Sequence, residues 1–248
     1  MPLVIVGTVK FAIAIAVALA GFNLQATTII AYFNGELTSE GITRDVHDGT
    51  VPPDYSNPVR TSTGMFSFTG LPGTEVGLLL GPFDAFCIEP REFVTETDTY
   101  TYDFSDLSAG ATNIGGMGVT KANLIRELFG RYYPVIGAAI DAEHASAIQI
   151  GIWEIVRENS GTLDVSAGDV VFSDPQDPAA LSLAQNYLSS LTGTGPRAEN
   201  LYALTAIGAQ DVVVQVHIPE PVEAFATGLA LIALALMARA RRHRHPSL

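Results

Sequence analysis

The sequence predicts one α+β domain, a β-rich sandwich or barrel with a helical block (about residues 119–192) segregated to one side. Three observations carry this reading. Short β-prone runs follow one another from Thr27 to Phe104. The hydrophobic period then changes to helical spacing between Thr120 and Leu191, and two further β-prone runs close the body. No repeat, low-complexity tract or Pro/Ser linker divides residues 27–217, so this interval reads as a single domain between flanking segments 1–26 and 218–248.

Taken in order, Thr27 to Phe33 is apolar and β-prone and ends at Asn34-Gly35, a turn signal. Residues 36–58 are polar and rich in Gly, Pro and Asp, which predicts mostly loop with one strand near Glu36 to Thr43. Thr61 to Thr69 sets Met65, Phe66 and Phe68 among Ser and Thr, a strand, and Leu71-Pro72-Gly73 a turn. Val76 to Leu80 and Asp84 to Glu89 read as two strands broken at Gly81-Pro82, and Tyr100 to Phe104 alternates as a half-exposed strand. Ser108 to Gly118 reads as flexible. Beyond it Leu124, Ile125, Leu128, Phe129 and Tyr132 recur at helical spacing, with Thr120 as N-cap and Pro134 as terminator.

Asp141 to Glu158 is the second helix, acidic in its first turn and closed by Asn159 and Gly161; its Ile148, Ile150, Ile152 alternation leaves a strand open. A short strand at Asp169 to Phe172, a helix from Pro178 to Leu191 ended by Gly193 and Gly195, and strands at Leu201 to Ala206 and Asp211 to Val216 complete the body.

Charged residues are sparse, 16% against 48% hydrophobic, yet the net charge over 248 residues is -13. Four of the 13 basic residues, Arg239, Arg241, Arg242 and Arg244, fall in the last ten positions, so the body is more acidic still. Nucleic-acid binding needs a basic footprint and is disfavoured. An exported acidic domain kept dispersed by self-repulsion fits.

Residues 1–26 carry Lys10, an apolar stretch from Phe11 to Ala20 and small-residue exits at Ala18-Leu19-Ala20 and Ala26. This predicts a secretory signal peptide, with an uncleaved anchor as the alternative. At the other end Pro219-Glu220-Pro221 precedes an uncharged apolar run, Ala224 to Ala238, and then the Arg/His tail. That is a marginal membrane span with a stop-transfer block on the cytoplasmic side. The layout resembles the PEP-CTERM sorting signal of Gram-negative bacteria. The resemblance implies processing by an exosortase-type enzyme, a transient C-terminal anchor, and a final location at the cell surface or outside the cell.

Among residues able to carry chemistry, His47, His144 and His217 are far apart and His243 and His245 lie in the tail, so no zinc site is expected. Asp45-Val46-His47-Asp48-Gly49 and Asp174-Pro175-Gln176-Asp177 lack the ligand alternation of an EF-hand loop and read as solvated turns. Ile114-Gly115-Gly116-Met117-Gly118 lacks the P-loop lysine and the dinucleotide spacing, and no Gly-x-Ser-x-Gly elbow is present. Neither a cofactor nor a catalytic centre with turnover is expected.

Two residues remain. Cys87, the one cysteine, sits in Phe86-Cys87-Ile88, and Gln149 interrupts the apolar run Ala145 to Val156, which also holds the one tryptophan, Trp153. By residue chemistry alone a small buried hydrophobe and a reactive thiol both stay open for Cys87. A thiol beside a carboxamide can displace ammonia and form an internal thioester. Such a bond needs shielding from water, for which Phe86, Ile150 and Trp153 are the candidates. An incoming amine would then form an isopeptide bond to Gln149 and free the Cys87 thiol.

Phe86-Cys87 and Ile148-Gln149-Ile150-Gly151-Ile152-Trp153 resemble the two motifs of bacterial surface thioester domains. In that family an aromatic or leucine precedes the Cys, and the second motif runs Thr-Gln-x-Ala-Ile-Trp. The resemblance implies a β-rich body with a helical insertion, a Cys87–Gln149 cross-link, Trp153 as a packing residue, and adhesion to a surface or matrix ligand that bears an amine. Ile148 and Gly151 depart from the family's Thr and Ala. A non-reactive structural protein of the exopolysaccharide or biofilm matrix, with an inert Cys87, is the alternative, and exopolysaccharide is then the candidate partner.

Overall fold

The computed structural model describes residues 27–46, 59–90, 92–133, 139–173 and 178–216. The signal-peptide and sorting-signal expectations, including Pro219, Glu220 and Pro221, lie outside the described residues, as does most of both acidic turns. Among the described residues no helix is long and apolar enough to cross a membrane.

Seven strands form one antiparallel sheet: β1 (Thr27–Val46), β2 (Val59–Gly70), β3 (Gly81–Cys87), β4 (Thr99–Asp106), β5 (Val170–Ser173), β6 (Leu201–Thr205) and β7 (Val212–Gln215). Their order is β2-β3-β7-β6-β4-β1-β5, and β2 also pairs with β1. That last pairing closes six strands into a barrel, which removes their exposed edges, and leaves β5 attached to the far half of β1. Three helices follow the barrel's first four strands: α1 (Gly118–Tyr132), α2 (Ala142–Arg157) and α3 (Ala179–Ser190). The fold is therefore α+β with the helices grouped together, the architecture read from the element order.

Inside the barrel, alternation places Ile29, Ala31, Phe68 and Tyr102 at 0% exposure. Phe68 stacks on its cross-strand partner Phe83 at 5.5 Å and meets Tyr102 edge-on at 6.1 Å. Helix α2 is mostly apolar and is buried on all sides from Ala145 to Arg157, a distribution that suits a helix enclosed between layers rather than one lying on a surface. It packs on β1, β2, β3 and β5, while α3 and α1 cover it. The Asp141 carboxylate accepts a hydrogen bond from the His144 N–H at 2.8 Å and caps the helix, so the strand alternative for this segment is excluded.

Several elements differ from expectation. Asn34-Gly35 is not a hairpin turn: β1 runs through it to Val46, and register shifts against β2 flank Gly35 and Glu36. Gly35, at φ 109°, absorbs the bulge, and Asn34 donates to Ser67 and Thr69 across the strands. Val76 to Leu80 is a single-turn helix over Gly77–Leu79, because Leu79 alone turns inward while Leu78 and Leu80 stay exposed. β3 starts at Gly81 and includes Pro82, tolerated at a strand's beginning. Met117, not Thr120, is the N-cap of α1, which ends before Pro134. The segment read as flexible holds two single-turn helices, Leu107–Ala109 and Thr112–Ile114.

A candidate site where helix α2 replaces a strand

β2 and β3 pair from Gly70 and Gly81 up to Phe66 and Ala85 and then part. Along β3 successive backbone groups point to opposite sides. The Ile88 N–H reaches the Asp211 carbonyl on the β7 side at 2.8 Å, so the N–H and C=O of Cys87 point to the side that β2 has left. Both are buried, with Cys87 at 0% exposure, and need partners.

Gln149 of α2 supplies them. Its Oε1 accepts from the Cys87 N–H at 2.8 Å, and its Nε2 donates to the Cys87 carbonyl at 2.7 Å. The side-chain amide thus pairs with one residue as a neighbouring strand would. The two contacts also fix the amide's orientation, since a flipped amide would face donor to donor and acceptor to acceptor. One turn earlier, Ser146 Oγ donates to the Thr63 carbonyl of β2 at 2.9 Å. Helix α2 is therefore wedged between the parted strands and satisfies both edges through Ser146 and Gln149. Trp153, four residues beyond Gln149 on the same face, donates its indole Nε1–H to Cys87 Sγ at 3.2 Å.

The thiol in turn donates to the Glu89 carbonyl at 3.0 Å, which also receives the Gln210 side-chain amide at 3.0 Å. Gln149 and Trp153 are 1% and 2% exposed, so the amide, thiol and indole meet in a dry environment. Ile150 is fully buried beside them. Phe86 lies on the opposite face of β3, where its ring meets Phe129 of α1 and Tyr133 just past the helix edge-on at 5.7 and 5.5 Å. It covers the strand from the outside rather than lying over the sulfur. Gly151 faces α1: a Cβ there would come within 3.2 Å of Leu128 Cδ2, so the missing methyl makes room for the helix contact.

Behind the thiol lies a network of acids that the sequence did not suggest. The Glu89 carboxylate accepts from the Asn113 N–H at 2.9 Å, and Asp211 accepts from the N–H groups of Thr112 and Ala206 at 2.9 and 3.0 Å. Burial, then the neighbouring Glu92, pushes Glu89 up to about 7, and burial also raises Asp211, with the Glu89 charge adding to it. These two carboxylates pin the loop over Thr112–Ile114 to the ends of β3 and β7, which is why that glycine-rich segment is ordered. Ser146 was also missed, although a polar residue three before Gln149 on an apolar helix was a legible sign of a second edge contact. Among the described residues no group of three or more His, Cys, Asp or Glu side chains is placed to hold a metal ion.

Chemically, the arrangement brings a nucleophilic sulfur and a carboxamide onto one residue's span of strand. The amide oxygen accepts from the Cys87 backbone N–H, the sulfur accepts from the Trp153 indole N–H, and all of these groups are buried.

No family model matches the sequence, and no curated protein matches it. Among solved structures, the N-terminal thioester domain of the fibronectin-binding protein SfbI from Streptococcus pyogenes aligns at 10% identity with a TM-score of 0.41, covering 78% of this chain and 95% of that one. The pilus-presented adhesin Cpa (Spy0125) aligns at 13% identity with a TM-score of 0.30, covering 77% and 93%. Superpositions at these scores do not establish a shared fold, and the architecture described above stands on its own strand pairings.

Proposed function

We propose that this protein is an exported module of the cell surface or extracellular matrix that binds a partner amine covalently through a Cys87–Gln149 thioester. The reciprocal pairing of the Gln149 amide with the Cys87 backbone carries the reading. It holds the amide beside the backbone of the residue that bears the thiol. Attack of Sγ on the amide carbon forms the C–S bond, breaks the C–N bond and releases Nε2 as ammonia with the thiol proton. A primary amine then forms the amide and returns Cys87 as a thiol. Each molecule reacts once, so the protein is a binding reagent rather than an enzyme with turnover. The Pro219-Glu220-Pro221 signal, the apolar run after it and the arginine tail support export, transient anchoring and exosortase-type processing.

A second reading has its own support. The Gln149 amide and the Cys87 thiol each have hydrogen-bond partners in place, as an inert core of a matrix protein would require. Methylamine separates the two. Under the first reading it adds to Gln149 and exposes one titratable thiol; under the second, the protein is unchanged.

A further inference from the structure

Resting on the thioester reading, we infer that a cleft between β1, β2 and residues 93–96 is the route by which the amine arrives, and that Glu36 and Glu96 select a cationic, unbranched alkylamine. The cleft, about 70 Å³, is walled by Phe33, Phe66, Phe93 and Val94 on one side and by the polar Thr61 and Ser62 on the other, and reaches Trp153 and Gln210. Those last two are the groups that hydrogen bond to the Cys87 sulfur and to the Glu89 carbonyl that receives the thiol. The floor of the cleft is thus one hydrogen bond from the sulfur through Trp153 and two through Gln210, by way of the Glu89 carbonyl.

Outside it, a wider depression of about 460 Å³ shares Phe33, Glu36 and Val94 with the cleft and adds Gly35 and Glu96. A Cβ at Gly35 would collide with the Glu96 carboxylate, so the glycine that forms the β1 bulge also lets this carboxylate lie at the mouth. Among the described residues neither carboxylate has a cationic partner. Phe93, 63% exposed, stands beside them as an apolar rim.

Two carboxylates at the mouth of a cleft walled on one side by Phe33, Phe66, Phe93 and Val94 match a charged head on a methylene chain, the chemistry of a lysine side chain or a diamine. The small volume favours a slender alkylamine over a branched or aromatic one. The carboxylates concentrate the ammonium at the mouth. There it yields its proton to water, because only the neutral nitrogen has the lone pair that attacks an acyl carbon. The neutral nitrogen attacks the Gln149 acyl carbon, the C–N bond forms and the C–S bond breaks. Sulfur departs as a thiolate beside the Trp153 N–H and takes up the proton shed by the attacking nitrogen.

The test follows adduct formation on the exported protein by intact mass, with 1,4-diaminobutane as the cationic probe and hydroxylamine, uncharged at neutral pH, as the neutral one. In Glu36→Gln/Glu96→Gln the diamine rate should fall roughly tenfold and the hydroxylamine rate should hold. In the unmodified protein the diamine rate alone should fall as salt rises from about 0.01 M to about 1 M. An unchanged diamine-to-hydroxylamine ratio in the double variant, an equal loss for both probes, or no salt effect overturns the inference while leaving the thioester intact. A protein that shows no ammonia deficit before any amine is added overturns the thioester reading itself, and the inference with it. The salt series needs no variant, so a misfolded double variant does not rescue the idea.

Discussion

Replacing Gln149 with leucine in a Cys87→Ala background separates the structural role of the amide from any reaction at sulfur. The alanine keeps the residue 87 backbone and removes the thiol, so neither protein can form a cross-link. Leucine has nearly the volume of glutamine and fits the apolar surroundings of α2, which minimises cavity and overpacking effects. What it removes is the pair of contacts at 2.8 and 2.7 Å to a backbone N–H and C=O that β2 does not reach. A buried polar group left without a partner costs about 1–3 kcal/mol, so the two together predict a loss of about 2–6 kcal/mol. Urea unfolding of the single and double variants measures it, and the slope with denaturant should stay constant. Gln149→Glu in the same background should behave differently. It keeps an acceptor for the N–H but sets an oxygen against the carbonyl, so its penalty should grow as pH rises and the carboxyl ionises. A loss below about 1 kcal/mol for the leucine variant would refute the claim that Gln149 stands in for a strand.

Three further outcomes follow from the same structure. A thioester would close a loop between residues 62 apart in sequence, so opening it with methylamine should lower unfolding stability by roughly 4 kcal/mol; a treated protein as stable as the untreated one contradicts the cross-link. Glu154, its Oε1 bonded to the Asp164 N–H at 2.8 Å and its Oε2 without a partner among the described residues, is pushed up to about 8, first by burial and then by Glu158, Asp164 and Asp169. A carboxyl whose folded pKa lies above its unfolded value of about 4.5 loses stability as pH rises between the two, so the urea midpoint should fall from pH 5 to pH 8. Glu154→Gln should flatten that fall, and an equally steep fall in the variant would refute the assignment. Finally, the Tyr102 hydroxyl is fully buried and has no hydrogen-bond partner among the described residues. Tyr102→Phe should be neutral or stabilising by up to about 1 kcal/mol in thermal unfolding, and a destabilisation above that would mean the hydroxyl has a partner.

The sequence made α2 legible because its information is local. Asp141 caps it, isoleucines recur at its spacing, and Gln149 and Trp153 lie four apart. The strands with clean alternation, such as β4 with Tyr102 and Phe104 inward, were equally readable. What stayed hidden depends on partners distant in the chain. The second half of β1 is polar and shows no alternation, and it is a strand because β2 and β5 pair with it. The parting of β2 from β3, which creates the vacancy that Gln149 fills, has no signature in either strand alone. The Cys87–Gln149 proximity was reached through motif resemblance and the oddness of two residue types, whereas Ser146, Glu89 and Asp211 gave no such cue. Their roles come from long-range geometry: Ser146 bonds across 83 residues, and the Asp211 carboxylate across 99.

The central claim, a thioester between Cys87 and Gln149, is tested most directly by the intact mass of the exported protein beside its Cys87→Ala variant. The unmodified protein should be lighter by one ammonia than its processed sequence requires and have no titratable thiol, and the variant should show no deficit. Full sequence mass together with a free Cys87 thiol would contradict it and leave α2 as a wedge that holds two strands apart.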